Sequence, residues 1–212
     1  MESHFFSYLY RLRYIERWSL MRNTHRESVA VHSYYVAALS HLLCSIANEV
    51  YGKNVPTGEV VSLALFHDAT EVFVGDVAAP VKASNPDVAR SFRAIERAAA
   101  ESIVRMVPEE LRGVYGPLVH GHDNELYKWV KAADLLDAYL KSLTELTAGN
   151  REFAVAKAQI ESALRALDMP EVDYFLTKLA PSFEKTLDEI VESNNADASA
   201  QARPLGDLPR LP

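Results

Sequence analysis

Apolar residues recur every three or four positions along most of this chain. His32, Val36, Leu39, Leu43, Ile46 and Val50 keep that step, which predicts one long helix with His32 on its buried face. The helix is expected to end near Tyr51-Gly52, where glycine supplies a C-cap. Thr57 is a plausible cap for the next helix, expected to run to about Val74-Gly75 and to carry His67, Asp68 and Glu71 on its surface. The stretch GDVAAPVKASNPD reads as a loop broken by Pro80 and Pro86. Asn85-Pro86-Asp87 then opens a helix to about Met106, with a cap, a proline at N1 and an acid in the first turn. Pro108 starts a shorter helix, and Gly113, Gly116 and Pro117 are expected to break the chain after it. Asn124 or Asp123 caps a helix to about Ala148, stopped by Gly149-Asn150. A further helix is expected from Glu152 to Leu167, and Pro181 is expected to open the last one, ending near Ser193. From Asn194 onward the chain is polar and rich in Ala and Pro, and it reads as a disordered tail. There is no internal repeat and no strand pair, so the pattern predicts an all-α fold, one domain over 1–193 and a tail over 194–212.

Composition narrows the chemistry. With 49% hydrophobic residues in 212, the chain has the makings of a sizeable single core. A formal charge of -7 argues against a nucleic-acid polymer as the main partner, because such binders carry a basic face. A small phosphorylated ligand needs only a local cation cluster. Cys44 is the single cysteine, which excludes an internal disulfide or a thiolate zinc cluster and fits a reducing compartment. The N-terminal stretch mixes acidic and cationic residues and does not read as a signal peptide. No uncharged apolar run is expected to reach the ~18 residues of a membrane span. A cytoplasmic protein without a membrane partner is the expectation.

Against this apolar background a few ionisable residues stand out. His32 lies in ESVAVHSYYVAALSHLL, His67-Asp68 in LALFHDATEVFVGD, and Asp134 in WVKAADLLDAYL. Two imidazoles and two carboxylates suit one divalent ion, because borderline nitrogen and hard oxygen donors together fit Mn, Fe, Co, Ni or Zn. A metal between helices also explains acids at apolar positions, since burying an unpaired carboxylate costs several kcal/mol. On a continuous helix Glu71 would project one turn along from His67 and Asp68, placed to meet a metal-bound water. Asp76 follows Gly75 in a turn that can aim its side chain back. Arg17 offers a fork suited to phosphate oxygens, and Lys82 adds a loop cation. His120-Gly-His122 admits a second metal, but its short glycine-containing spacing favours a surface turn.

The order H…HD…D resembles the signature of the HD-domain metal-dependent phosphohydrolases, a helical bundle with its metal between helices. Longer segments are more specific. SHFFSYLYRLRYIERWSLMRN, ESVAVHS, LALFHDATEVFVGDVAAPVK, MVPEELR and VKAADLLDAYLK resemble the bacterial HD-domain 5′-deoxynucleotidases of the YfbR type, from about Ser3 to about Glu192. That resemblance implies a phosphoric monoester hydrolase releasing phosphate from deoxyribonucleoside 5′-monophosphates in a homodimer. Its single divalent transition metal would be cobalt or manganese ahead of zinc, copper, nickel or iron. It implies His32, His67, Asp68 and Asp134 as metal ligands, and Glu71 and Asp76 as acidic catalytic positions. Arg17 would orient the phosphate, and Trp18 would line the sugar. Asp76, Val77, Ala78 and Ala79 would form a substrate loop, with Asp68 and Asp134 also touching substrate. Two departures bear on this. The family usually has Pro-Thr where Ala78-Ala79 stand, and an acid where Val31 precedes the first metal histidine. A general nucleotide phosphohydrolase and a non-catalytic nucleotide-binding HD protein are the alternatives.

Overall fold

The computed structural model describes residues 2–82 and 85–201, and these residues form helices and turns. In chain order the helices are α1 (Phe5–Leu9), α2 (Val29–Ser45), α3 (Thr57–Phe66), α4 (Glu71–Val74), α5 (Ala79–Lys82), α6 (Pro86–Met106), α7 (Arg112–Val119), α8 (Tyr127–Thr147), α9 (Ala154–Arg165), α10 (Pro170–Lys178) and α11 (Leu187–Gln201). The all-α expectation holds among the described residues. The one extended feature is an isolated antiparallel bridge, Glu16 with Ser28.

The core forms where α2, α3 and α8 press together. Val36, Leu43, Ala64, Ala133 and Leu136 are fully buried there, and Val172 and Phe175 of α10 close one end. A second cluster joins α1, α6 and α7 through Phe5, Ile103 and Val119. α2 starts where Ser28 accepts a hydrogen bond from Val31 N–H, and it continues as a wider π-helical turn over Ile46–Val50. Gly52, at φ 64, ends it in the left-handed region glycine enters freely. By length and composition Val29–Val50 could cross a membrane, against the expectation of no such run, yet more than half of it is buried within the fold. It is the central core helix.

Several expected boundaries are corrected. The helix from Thr57 does not reach Val74, because the chain tightens over 67–70 between α3 and α4. His67, Ala69 and Glu71 N–H groups donate three residues back, to Ala64, Phe66 and Asp68. The His67 ring also bonds the Ala64 carbonyl at 2.7 Å, taking the acceptor that an α-helix would offer to Asp68 N–H. Apolar periodicity does not register such a step.

Gly113, Gly116 and Pro117 lie inside α7 rather than breaking it. Burial of Val119 and the Phe5–Tyr115 ring contact, 4.9 Å between centroids, outweigh weak helix propensity there. The region 170–178, which carried no expected helix, is α10, and Pro170 at N1 with Glu171 and Asp173 in the first turn repeats the signature seen at Pro86. Pro181 falls in a 3-10 turn, and the last helix opens after Thr186 instead. Thr186 and Glu189 exchange hydrogen bonds with each other's backbone N–H in a capping box. That helix continues past Ser193 to Gln201, which suits a stretch holding good helix formers such as alanine. The rest of the expected tail, 202–212, lies outside the described residues.

Candidate metal centre and active site

α2 delivers His32, the α3–α4 corner delivers His67 and Asp68, and α8 delivers Asp134. Their donor atoms converge. His32 Nε2 lies 3.3 Å from His67 Nε2, 3.4 Å from Asp68 Oδ2 and 3.4 Å from Asp134 Oδ1. His67 Nε2 lies 3.2 Å from Asp68 Oδ2. Donors held ~2.0–2.2 Å from one ion at tetrahedral angles sit roughly 3.3–3.6 Å apart, so the spacing of His32, His67 and Asp68 suits a shared cation, with Asp134 meeting the group at His32.

The outer nitrogens support the same conclusion. His67 Nδ1 meets the Ala64 carbonyl at 2.7 Å, and His32 Nδ1 meets Asp137 Oδ2 at 2.6 Å. Both partners are acceptors, so each Nδ1 carries the proton and each Nε2 turns a lone pair inward. Two facing lone pairs repel unless a cation lies between them. Electrostatics agree. Burial disfavours a charged His32, but Asp134, Asp137 and Asp68 outweigh it and hold its pKa well above the ordinary value. Burial also works against charge on Asp68 and Asp134, yet the two histidines and Lys131 keep both carboxyls below their usual range. The cluster demands positive charge.

Asp137 is the residue that sequence reasoning missed. It stands three residues after Asp134 on α8, a spacing that shares one helix face and was available to reading. Arg17 lies behind the same imidazole. Its Nη1 bonds Glu27 Oε1 at 2.6 Å and lies 2.8 Å from His32 Nδ1 and 3.4 Å from Asp137 Oδ2. Arg17 therefore braces the outer side of a metal histidine, with Nη1 the nitrogen that makes these contacts.

Trp18 occupies the left-handed region at φ 57, an outlier for an aromatic residue. Its ring meets Phe153 at 5.4 Å, and its buried Nε1 has no hydrogen-bond partner among the described residues. The segment bearing Arg17 and Trp18 is held down by one carboxylate. Glu145 of α8 accepts from Thr24 N–H, Thr24 Oγ1 at 2.7 Å, His25 N–H at 3.3 Å and Asn150 Nδ2 at 2.8 Å. It also pairs with Lys141, whose Nζ reaches the His25 carbonyl.

Glu71 opens α4 instead of lying along the α3 surface, but the corner brings it back to the site. It is 6% exposed, and its Oε2 is buried without a partner among the described residues. Burial, then the charges of Asp68 and Asp76, push its carboxyl up to about 9. Gly75 at φ 72 makes the corner that leads to half-buried Asp76 and Val77 and exposed Ala78. Ala79 opens α5, and its side chain lies outside what is described.

A cleft of about 150 Å³ opens over the centre, walled by His67, Asp68, Glu71, Asp134, Lys82, Glu96, His122 and Tyr127 among others. Arg17, Trp18 and Asp76 are not among its walls. His122 thus faces the site mouth, where its ring lies 4.4 Å from Tyr127, although its glycine-flanked turn pointed to plain surface. A larger cleft of about 360 Å³ lies beside Trp129 and α10. It holds no imidazole, and its buried acid Glu171 faces Lys53 at 2.6 Å, so the chemistry belongs to the smaller cleft.

Known proteins give the same picture. A 5′-deoxynucleotidase YfbR from Escherichia coli is 46% identical over 195 residues, which cover 91% of this chain and 98% of that protein. An HD-domain phosphohydrolase from Listeria innocua shares the fold at a TM-score of 0.74 and 24% identity, over 94% of this chain and 98% of its own. The cyanophage S-2L HD phosphohydrolase DatZ, solved bound to dA and one catalytic Zn2+ ion, is similar at a TM-score of 0.59 and 19% identity, over 85% of this chain and 96% of its own. The family model for 5′-deoxynucleotidase YfbR-like proteins matches residues 4–183, and this chain belongs to that family.

Proposed function

We infer that this protein is a metal-dependent 5′-deoxynucleotidase, which hydrolyses deoxyribonucleoside 5′-monophosphates to deoxynucleoside and phosphate. Membership of the YfbR-like family supports the activity. The observation that carries the site is the convergence of His32, His67 and Asp68, whose donor atoms lie 3.2–3.4 Å apart, with Asp134 Oδ1 3.4 Å from His32 Nε2. These four would hold one divalent transition ion, with cobalt or manganese the first candidates by family and zinc next, the metal in the DatZ structure. When bound, that ion supplies a polarised phosphoryl oxygen and a water of lowered pKa.

The chain's own groups do the rest. Water adds its oxygen to phosphorus, the bond to the 5′-oxygen breaks, and that oxygen leaves with a proton. Glu71 is suited to hold and deliver that proton, because burial and the neighbouring carboxylates favour its protonated form. Asp76, one corner away, is the second acid of the pair. Arg17 braces His32 from behind and is by family resemblance the candidate to orient the phosphate, and Trp18 with its unpartnered Nε1 is by the same resemblance the candidate contact for deoxyribose. The loop Asp76, Val77, Ala78 and Ala79 completes the substrate rim. A homodimer and a cytoplasmic location belong to the same reading. Buried Cys44 suits a reducing setting, and Val31, Tyr34 and Tyr35 leave an exposed apolar face on α2 for a second copy.

The test is phosphate release from paired ribo- and deoxyribonucleoside monophosphates, after chelation and reloading with single divalent ions. dAMP should be hydrolysed with higher kcat/KM than AMP, and Trp18→Ala should narrow the ratio. Fully metallated protein that leaves dAMP intact would identify a binding protein instead. Equal efficiency on both sugars would identify a general 5′-nucleotidase.

A further inference from the structure

The cleft over the metal centre must accept a phosphate dianion although four carboxylates, Asp68, Glu71, Asp134 and Glu96, line it. Two lysines stand among the walls. Lys131 serves the ligand set itself, its Nζ 3.0 Å from Oδ2 of Asp134, a metal-site carboxylate. Arg17 approaches from behind His32 and is not a wall. Lys82 remains. It ends the short helix α5, and its Nζ bonds Glu96 Oε1 of α6 at 2.9 Å, with about a third of its side chain exposed. Among the described residues no hydrogen bond or ion pair joins Glu96 to the four metal-site residues, so this pair lies beside the centre without belonging to it.

We propose that Lys82 is the side chain that receives the substrate phosphate within the cleft, and that Glu96 is the positioning residue that aims it. This rests on the phosphohydrolase reading above and adds a substrate contact to it. An ammonium has three donors, so Lys82 can keep Glu96 and still offer N–H groups to phosphate oxygens. Burial works against the Lys82 charge, and Glu96, then Glu71 and Asp68, outweigh it and keep the ammonium charged. As a mere structural tie the pair has little to offer. A partly exposed ion pair adds little to stability, too little to explain a cation set into the wall of an anion's cleft.

The experiment uses the metal-loaded enzyme and reads inhibition by inorganic phosphate beside kcat/KM for dAMP. Lys82→Met should weaken phosphate inhibition and lower kcat/KM by roughly 10-fold to 100-fold, the range spanned by a charge-assisted hydrogen bond. Metal stoichiometry and thermal midpoint should stay at wild-type values. Lys82→Arg should recover part of the loss. Glu96→Gln should raise KM several-fold with kcat nearly kept, because the ammonium remains but is no longer aimed. Wild-type phosphate inhibition in Lys82→Met would overturn the proposal, and so would a loss of bound metal or of thermal stability equal to the loss of activity. Direct calorimetric binding of inorganic phosphate separates the two readings. If the wild type failed to hydrolyse dAMP, the function would fall, while weaker phosphate binding by Lys82→Met would still locate the anion site.

Discussion

Asp137 shows what a single side chain contributes beyond the ligand set. It holds the His32 Nδ1 proton at 2.6 Å and leaves Nε2 free to face the metal. Asp137→Asn should cut metal affinity by about 10-fold to 100-fold with the fold intact, as read by competition with a metal chromophore. An unchanged affinity would mean that Asp137 does not set the tautomer. Glu71 carries the opposite trade. Its folded pKa, near 9, lies above the ordinary glutamate value, so the folded metal-free protein keeps a proton that the unfolded chain gives up. Its contribution to stability is therefore full below the unfolded pKa of ~4.3 and is lost as pH rises toward 9. Glu71→Gln removes that loss. The metal-free variant should melt higher than the metal-free wild type at pH 8, with the gap closing near pH 4. The metal-loaded variant should lose ~10²-fold or more in kcat, the scale of general acid catalysis. A variant that melted lower at pH 8 would refute the burial argument.

At the level of elements, the sequence made the ligand-bearing helices legible and hid the break between them. Periodic apolar positions place His32 on α2 and Asp134 on α8, because a helix face repeats every three to four residues wherever it is buried. The same periodicity runs unbroken through His67–Thr70, where the chain leaves the helix, because the cause is a ring-to-carbonyl bond that only tertiary placement creates. α10 was readable in principle, from Pro170 with two acids in its first turn. The segment 15–28 was not, since no helical or strand period marks it. It is fixed by Glu145, 120 residues away from His25, through backbone donors that sequence does not disclose. Those donors and Lys141 hold the Glu145 carboxyl below its ordinary pKa, which makes its stabilisation present above the unfolded pKa and lost as pH falls through the folded one. Glu145→Gln should cost about 3 kcal/mol at pH 7, where Lys141 is left without its buried charge partner. Chemical denaturation at pH 7 and pH 2 should show the difference between variant and wild type shrinking in acid. A constant difference would point to lost packing rather than lost charge.

For the molecule as a whole, the proposed metal centre would also be a cross-link. It gathers residues 32, 67, 68 and 134, and so ties α2, the α3–α4 corner and α8 at the point where they enclose the largest core cluster. Without an ion the fold must hold two largely buried carboxylates together, offset by the raised basicity of His32 and by Lys131. Any ion that binds the folded state and not the unfolded one stabilises it by mass action, about 2.7 kcal/mol at one hundred times its Kd. Adding Mn2+ or Co2+ to chelated protein should therefore raise the thermal midpoint in a concentration-dependent way. The shift should disappear in Asp68→Ala, which removes a ligand between the two imidazoles. It should also fade below about pH 5, because protonated histidines no longer offer lone pairs. This measurement needs no substrate, so it examines the ligand set independently of the reaction. An ion-induced shift that survived Asp68→Ala would place the metal elsewhere on the molecule and detach the four converging side chains from the chemistry assigned to them.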